Sequence, residues 1–168
     1  VRALAFESDW RKTDARQLRI VSGGLYQGLD SMGAHSNNPA LDLNFLRLRL
    51  SGVQSDKFFD NWQVVLSGAL YWSNNTLPDS ERVTFGGQNF GRGYPDDQAS
   101  GDKGWGAAYE VNYSFNRDGN WVRILQPYVV LDRSKTWFNK LAVQSNDLSS
   151  AAVGLRFGDA KYYNIALE

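Results

Sequence analysis

The residues best suited to specific chemistry fall in one stretch: Phe85-Gly86-Gly87, then Gly91-Arg92-Gly93-Tyr94, then Ser100-Gly101-Asp102. Glycines on both sides of Arg92 let the chain turn tightly and present a guanidinium at a tip, where its planar donors can grip a carboxylate through two bonds. A partner is at hand in Gln126-Pro127-Tyr128-Val129-Val130-Leu131-Asp132. Leu125, Pro127, Val129 and Leu131 take one face of that segment, so Gln126, Tyr128 and Asp132 take the other, as does Glu110 on the segment before it. The expectation is an ion pair between Arg92 and Asp132, with Glu110 as the second choice.

Other chemistries find little support. His35 is the single histidine, and with Asp30 nearby it could serve as a general base, but there is no Gly-x-Ser-x-Gly elbow to supply a nucleophile. With no cysteine and one histidine, a zinc site has no ligand set. Asp96, Asp97 and Asp102 do not have calcium-loop spacing, and the glycines from Gly87 to Gly93 lack the lysine of a phosphate loop. No catalytic residue, metal or cofactor is expected. Lysine plus arginine equals aspartate plus glutamate at 18 each, so the basic footprint of a nucleic-acid binder is missing.

The elements that would hold Arg92, Asp132 and Glu110 are long alternating strands. From Trp105 to Phe115, aromatic and apolar side chains fall on every second position, and Gly106, Ala108, Glu110, Asn112 and Ser114 fall between them. A run of that length suits a tilted strand crossing a bilayer, which takes about 9 to 11 residues, whereas soluble strands average about 5 to 6. Residues 61–73 repeat the pattern, with Trp62, Val64, Leu66, Leu70 and Trp72 on one face and tryptophans near both ends. In residues 43–53, Leu46, Leu48 and Leu50 alternate with Arg47, Arg49 and Ser51. A slip of one residue there would turn both arginines into lipid, at about 2 to 4 kcal/mol each near the midplane, so the register is strongly specified.

Further strands are predicted at 1–10, 17–29, 121–133, 149–158 and 162–168, making eight. Short connections at 11–16, 54–57, 116–120 and 159–161 alternate with long ones at 30–42, 74–104 and 134–148. This asymmetry belongs to outer-membrane barrels, whose short turns are periplasmic. No run is long and apolar enough for a membrane helix, while six tryptophans and 16 glycines suit a barrel with a wet interior. Residues 74–104 show neither strand nor helix periodicity, and a connection of that length inside an ordered domain is usually functional. It is expected to fold into the barrel lumen.

In these pieces and their order the chain resembles the transporters of two-partner secretion, which export haemolysins and filamentous adhesins and are related to the outer-membrane assembly pores. The shared segments are Phe85-Gly86-Gly87, Gly91-Arg92-Gly93-Tyr94, Ser100-Gly101-Asp102 with Gly104-Trp105 and Glu110, the Gln-Pro-Tyr strand ending at Asp132, and Gly154-Leu155-Arg156-Phe157 followed by Tyr162-Tyr163-Asn164. They cover about the last half of the family's barrel. Two positions depart from its pattern: Gly91 stands where valine is usual, and Ser134 where glycine is typical. The first is expected to loosen the tip and the second to crowd the contact.

The resemblance implies an antiparallel transmembrane β-barrel of 16 strands, of which residues 1–168 are the C-terminal half, without the family's two periplasmic domains and plugging helix. It implies that Arg92 is the loop-tip arginine and Asp132 its wall partner. It further implies a non-enzymatic, monomeric pore in the outer membrane of a Gram-negative bacterium, passing a large secreted exoprotein, with membrane lipid as its other partner. Glu110, Arg47 and Arg49 would line the lumen. The alternatives are a barrel-assembly protein or a passive pore, and then a barrel hydrolase using His35.

Overall fold

In the computed structural model, which describes residues 2–30, 41–116, 121–140, 145–159 and 161–168, the chain is all-β. The strands are β1 (Ala3–Thr13), β2 (Gln17–Gly28), β3 (Leu46–Phe58), β4 (Trp62–Ser73), β5 (Val83–Phe85), β6 (Ala99–Gly101), β7 (Lys103–Tyr113), β8 (Phe115–Asn116), β9 (Ile124–Trp137), β10 (Ser145–Gly158) and β11 (Asn164–Leu167). The main sheet runs β1-β2-β3-β4-β7-β9-β10-β11 with every neighbour antiparallel, and β8 continues the pairing along β9. It is an open sheet, with β1 and β11 at its edges.

Each side of the sheet has its own chemistry. On β4, Leu66 and Leu70 are each 47 % exposed, and Phe6, Leu25, Leu50, Leu131 and Val153 on other strands are exposed as well. Side chains of this kind left bare across a whole sheet face mark a surface covered by something other than water. Arg47 and Arg49 lie on the opposite face, in register with Tyr26 and Gly24. There Arg47 stacks on Tyr26 at 4.2 Å, Arg49 lies 5.8 Å from the Tyr71 ring, and Tyr26 donates to Glu7. Aromatic faces shield both guanidiniums, which is what fixes the register of β3.

The pairing also shows how the strands slant. Glu7 at mid-β1 leads through Gly24 and Arg49 to Tyr71, close to the end of β4. The apolar stretch moves along the strands accordingly, spanning Leu4 to Trp10 on β1 and Leu125 to Leu131 on β9, as tilted strands require.

Several boundaries differ from the expected ones. β9 extends to Trp137 and β10 begins at Ser145, paired from Ser145↔Trp137 to Gly158↔Ile124. The hydrophobic alternation fades after Leu131, but the backbone ladder continues through polar residues. β3 likewise runs on to Phe58. Residues 74–104 are not structureless: they carry a 3-10 turn at Asp79–Glu81 and the β5-β6 ladder, and β7 already starts at Lys103. His35 and the turn residues 117–120 lie outside the described residues.

Candidate functional site: a loop seated on the sheet wall

The segment between β4 and β7 folds back over the polar face of β4, β7, β9 and β10. Its base is tied by Asp102, which is 1 % exposed. One carboxylate oxygen of Asp102 accepts the Leu77 N–H at 2.9 Å and the other accepts the Asn139 N–H at 2.9 Å. The Asn139 amide in turn donates to the carbonyls of Ser73 and Asn75, at 2.9 and 2.8 Å. Two ends of the loop and the connection after β9 thus share one buried node. Arg47 adds a tie from β3, donating to the Glu81 carbonyl at 2.8 Å.

Above this base, Val83, Phe85, Ala99 and Leu148 make a small apolar core, with Tyr71, Phe90 and Tyr94 packed against it. Phe85 meets Tyr71 and Phe90 edge-on, with centroids 6.1 and 5.7 Å apart. Gly101 ends β6, and Ser100 accepts the Thr136 hydroxyl at 3.0 Å. Gly86 and Gly87 have φ of 137° and 55°, and a Cβ on Gly87 would overlap the Asp96 carboxylate, so this corner requires glycine.

The tip is a β-turn. Tyr94 N–H donates to the Gly91 carbonyl at 2.9 Å, which places Arg92 and Gly93 at its centre, and Gly91 bridges to Gly87. Gly91 is therefore held by the bridge rather than loose. Ser134 does not crowd the contact; its hydroxyl donates to the Phe90 carbonyl at 2.6 Å and fastens the loop to β9.

Arg92 meets the wall differently from the expected ion pair. Its backbone N–H, and not its guanidinium, reaches Asp132, at 3.3 Å from Oδ2, while the other Asp132 oxygen accepts the Ser150 hydroxyl at 2.8 Å. The guanidinium lies 2.5 Å from Glu168 and 3.8 Å from Glu110. Glu110 is itself held by Arg156, at 2.6 and 2.9 Å, and Arg156 stacks on Tyr128 at 4.0 Å. Tyr128 donates to Glu168 at 2.6 Å. Asn112 and Gln126 complete the network: the Asn112 amide donates to Glu110 at 3.1 Å, and the Gln126 amide donates to Asn112 at 3.1 Å.

Two guanidiniums and three carboxylates are thus packed between the loop tip and the strands. From the sequence, Arg156 stood only within a family-like segment and had no assigned role, and Glu168 was not singled out, although period two does put Arg156 on the same face as Ser150 and Asp132. The network is directional, polar and largely buried, and it stands beside the small apolar core that also joins the loop to the strands. Among the described residues, no group of three or more acidic or histidine side chains is arranged to hold a metal.

Residues 9–157 match the haemolysin secretion/activation protein family ShlB/FhaC/HecB. The chain belongs to this family. Members of the ShlB/FhaC/HecB family are outer-membrane β-barrel transporters of two-partner secretion in Gram-negative bacteria, not enzymes, and the all-β antiparallel sheet with its bare apolar face fits that setting. No curated protein and no solved structure matches the chain.

Proposed function

We propose that this chain is the wall and the inserted loop of a pore that passes a partner exoprotein, of haemolysin or adhesin type, from the periplasm to the cell surface. The pore works as a monomeric barrel surrounded by outer-membrane lipid and performs no covalent chemistry. An unfolded polypeptide crosses a polar lumen to which Glu110, Arg47 and Arg49 contribute charge. The observation that carries the reading is the seating of Arg92, whose backbone and side chain both engage the wall from the tip of a loop spanning the distance from β4 to β7. In this reading the loop must leave its seat, at least in part, for a client to pass.

The test is a secretion assay in cells expressing the complete transporter and its exoprotein. Arg92→Ala and a Glu110→Ala variant are expected to assemble normally, judged by heat-dependent migration of the folded barrel, while exoprotein in the medium falls several-fold. Secretion equal to wild type in both variants would overturn the role of the seat. High, steady single-channel conductance with no effect on export would instead point to a passive pore.

A further inference from the structure

The outward side of β7, β9 and β10 changes character abruptly along the strands. Its lower rows are apolar: Val111, Val129 and Val153 stand side by side, then Tyr109, Leu131 and Ala151. The next row brings Ala107, Arg133 and Ser149, followed by Trp105, Lys135 and Asp147, then Lys103, Trp137 and Ser145. Alternation fixes the direction of these side chains, because their neighbours Gly104, Gly106, Asp132, Ser134 and Thr136 are buried beneath the loop on the other face. Three cations and two indoles therefore stand outside the barrel, on the side of the long connections, just past the apolar band.

One carboxylate serves this group. Asp147 takes Arg133 at 2.9 and 3.1 Å and lies 3.9 Å from Lys135. Lys135 also sits 5.7 Å from the Trp137 ring. The group retains a positive excess, and its indoles stand where a bilayer meets water. Below Arg133, the small side chain of Ala107 leaves a hollow between Leu66, Tyr109 and Leu131. A cationic ledge directly above an apolar hollow fits one kind of molecule: an amphiphile whose head carries phosphate and whose tail is an acyl chain.

We propose that Lys103, Lys135 and Arg133 form an outer-wall site for the phosphate of a phosphorylated saccharolipid in the outer leaflet, with an acyl chain laid over Ala107. Arg133 offers a planar fork to the phosphate while Lys103 and Lys135 act as point charges on either side. Asp147 aligns Arg133 and at the same time competes with the lipid for it. The site is independent of the loop seat, because it lies on the opposite face of the same strands. It rests on the outer-membrane setting of the barrel.

The test uses the complete transporter extracted from outer membranes, its native lipid removed in detergent, and defined lipid A added back. Copies retained are counted by native mass spectrometry. Wild type is expected to retain phosphorylated lipid A several-fold better than the dephosphorylated form. Lys103→Gln/Lys135→Gln is expected to abolish that preference, and Asp147→Asn to strengthen it. Equal retention of the two lipids by wild type would overturn the proposal, whatever the variants do. So would a preference undiminished in a double variant whose heat-dependent migration shows a folded barrel. Neither result bears on secretion, which the assay of Arg92 tests separately.

Discussion

Arg156 grips Glu110 through two guanidinium nitrogens, at 2.6 and 2.9 Å, while Arg92 of the loop stands 3.8 Å from the same carboxylate. One acidic side chain is therefore shared between a cation fixed in the wall and a cation carried by the loop. When the loop is seated, Glu110 has two cationic partners; when it leaves, Arg156 still neutralises the carboxylate. Release of the tip therefore leaves Glu110 paired, and an unpaired buried charge is the event that makes breaking such pairs expensive.

Removing the wall cation reverses that logic. Arg156→Ala is expected to lower the barrel's stability by about 1 to 3 kcal/mol, the range for hydrogen bonds to charged groups with partial exposure. It should also hold the loop more firmly, since Arg92 becomes the remaining cation at Glu110. Arg156→Lys should restore less than half of the loss, because an ammonium cannot make the paired contact or stack on Tyr128 in the same way. Denaturant titration of the folded form on gels measures the first effect. Protease access to the 91–94 tip measures the second.

The way Arg92 meets Asp132 leads to a sharp contrast between double mutants. Its contact with Asp132 is made by the backbone N–H, which survives truncation of the side chain. Arg92→Ala and Asp132→Ala should therefore be nearly additive in stability. Arg92→Ala with Glu110→Ala should depart from additivity by about 0.5 to 3 kcal/mol, the range for groups in one polar network. A large coupling between Arg92 and Asp132, with none to Glu110, would mean that the guanidinium is seated elsewhere.

Phe90 lies directly against Gly106 of β7, where a Cβ would come within 2.6 Å of the ring. Gly106→Val is expected to push Phe90 and its φ of 55° out of place, at about 1 to 3 kcal/mol for overpacking, and to unseat the loop without touching its charges. The measurement is exposure of a cysteine placed at Gln88 to a soluble thiol reagent. An unchanged labelling rate would show that Phe90 is not what keeps the loop down.

At the turn between β10 and β11, one oxygen of Asp159 accepts the N–H groups of Lys161, Tyr162 and Tyr163, at 2.9, 2.7 and 3.1 Å. These bonds, Tyr162's foremost, hold the Asp159 carboxyl below the ordinary carboxylate range against the opposing effect of its desolvation. Because the folded value is the lower one, the stabilisation is complete above the unfolded value and is lost as pH falls through the folded value. Hydrogen exchange at Lys161–Tyr163 should show protection at neutral pH that Asp159→Ala removes. The difference between the two proteins should vanish in acid. A difference that persists there would assign the protection to the backbone alone.

Much of the architecture was legible because lipid imposes a strict code. Trp62 to Trp72 and Trp105 to Tyr113 declare a face at every second residue, and the Leu-Arg alternation from Leu46 to Leu50 fixes a register. Strand ends were less legible: past Leu131 the lipid no longer selects side chains, yet the ladder runs on to Trp137. The loop was visible as a cluster of glycines around Arg92, and Asp132 and Glu110 were visible as its wall partners, but the parts played by Glu168 and Arg156 were not. A ladder of three residues such as β5-β6 leaves no period to detect. Whether a backbone or a side chain meets Asp132 depends on the β-turn at Gly91–Tyr94, which only three dimensions reveal.

Asp102 joins the Leu77 and Asn139 amides through a single buried carboxylate. The first belongs to the loop and the second to the connection after β9, on the side of the long connections. By reciprocity, a ligand clamped onto Asn139 from outside alters the free energy of loop withdrawal, and a client that displaces the loop alters that ligand's affinity by the same factor. If the loop leaves its seat during export, as proposed, an antibody raised against the resting surface around Asn139 is expected to discriminate idle from working transporters.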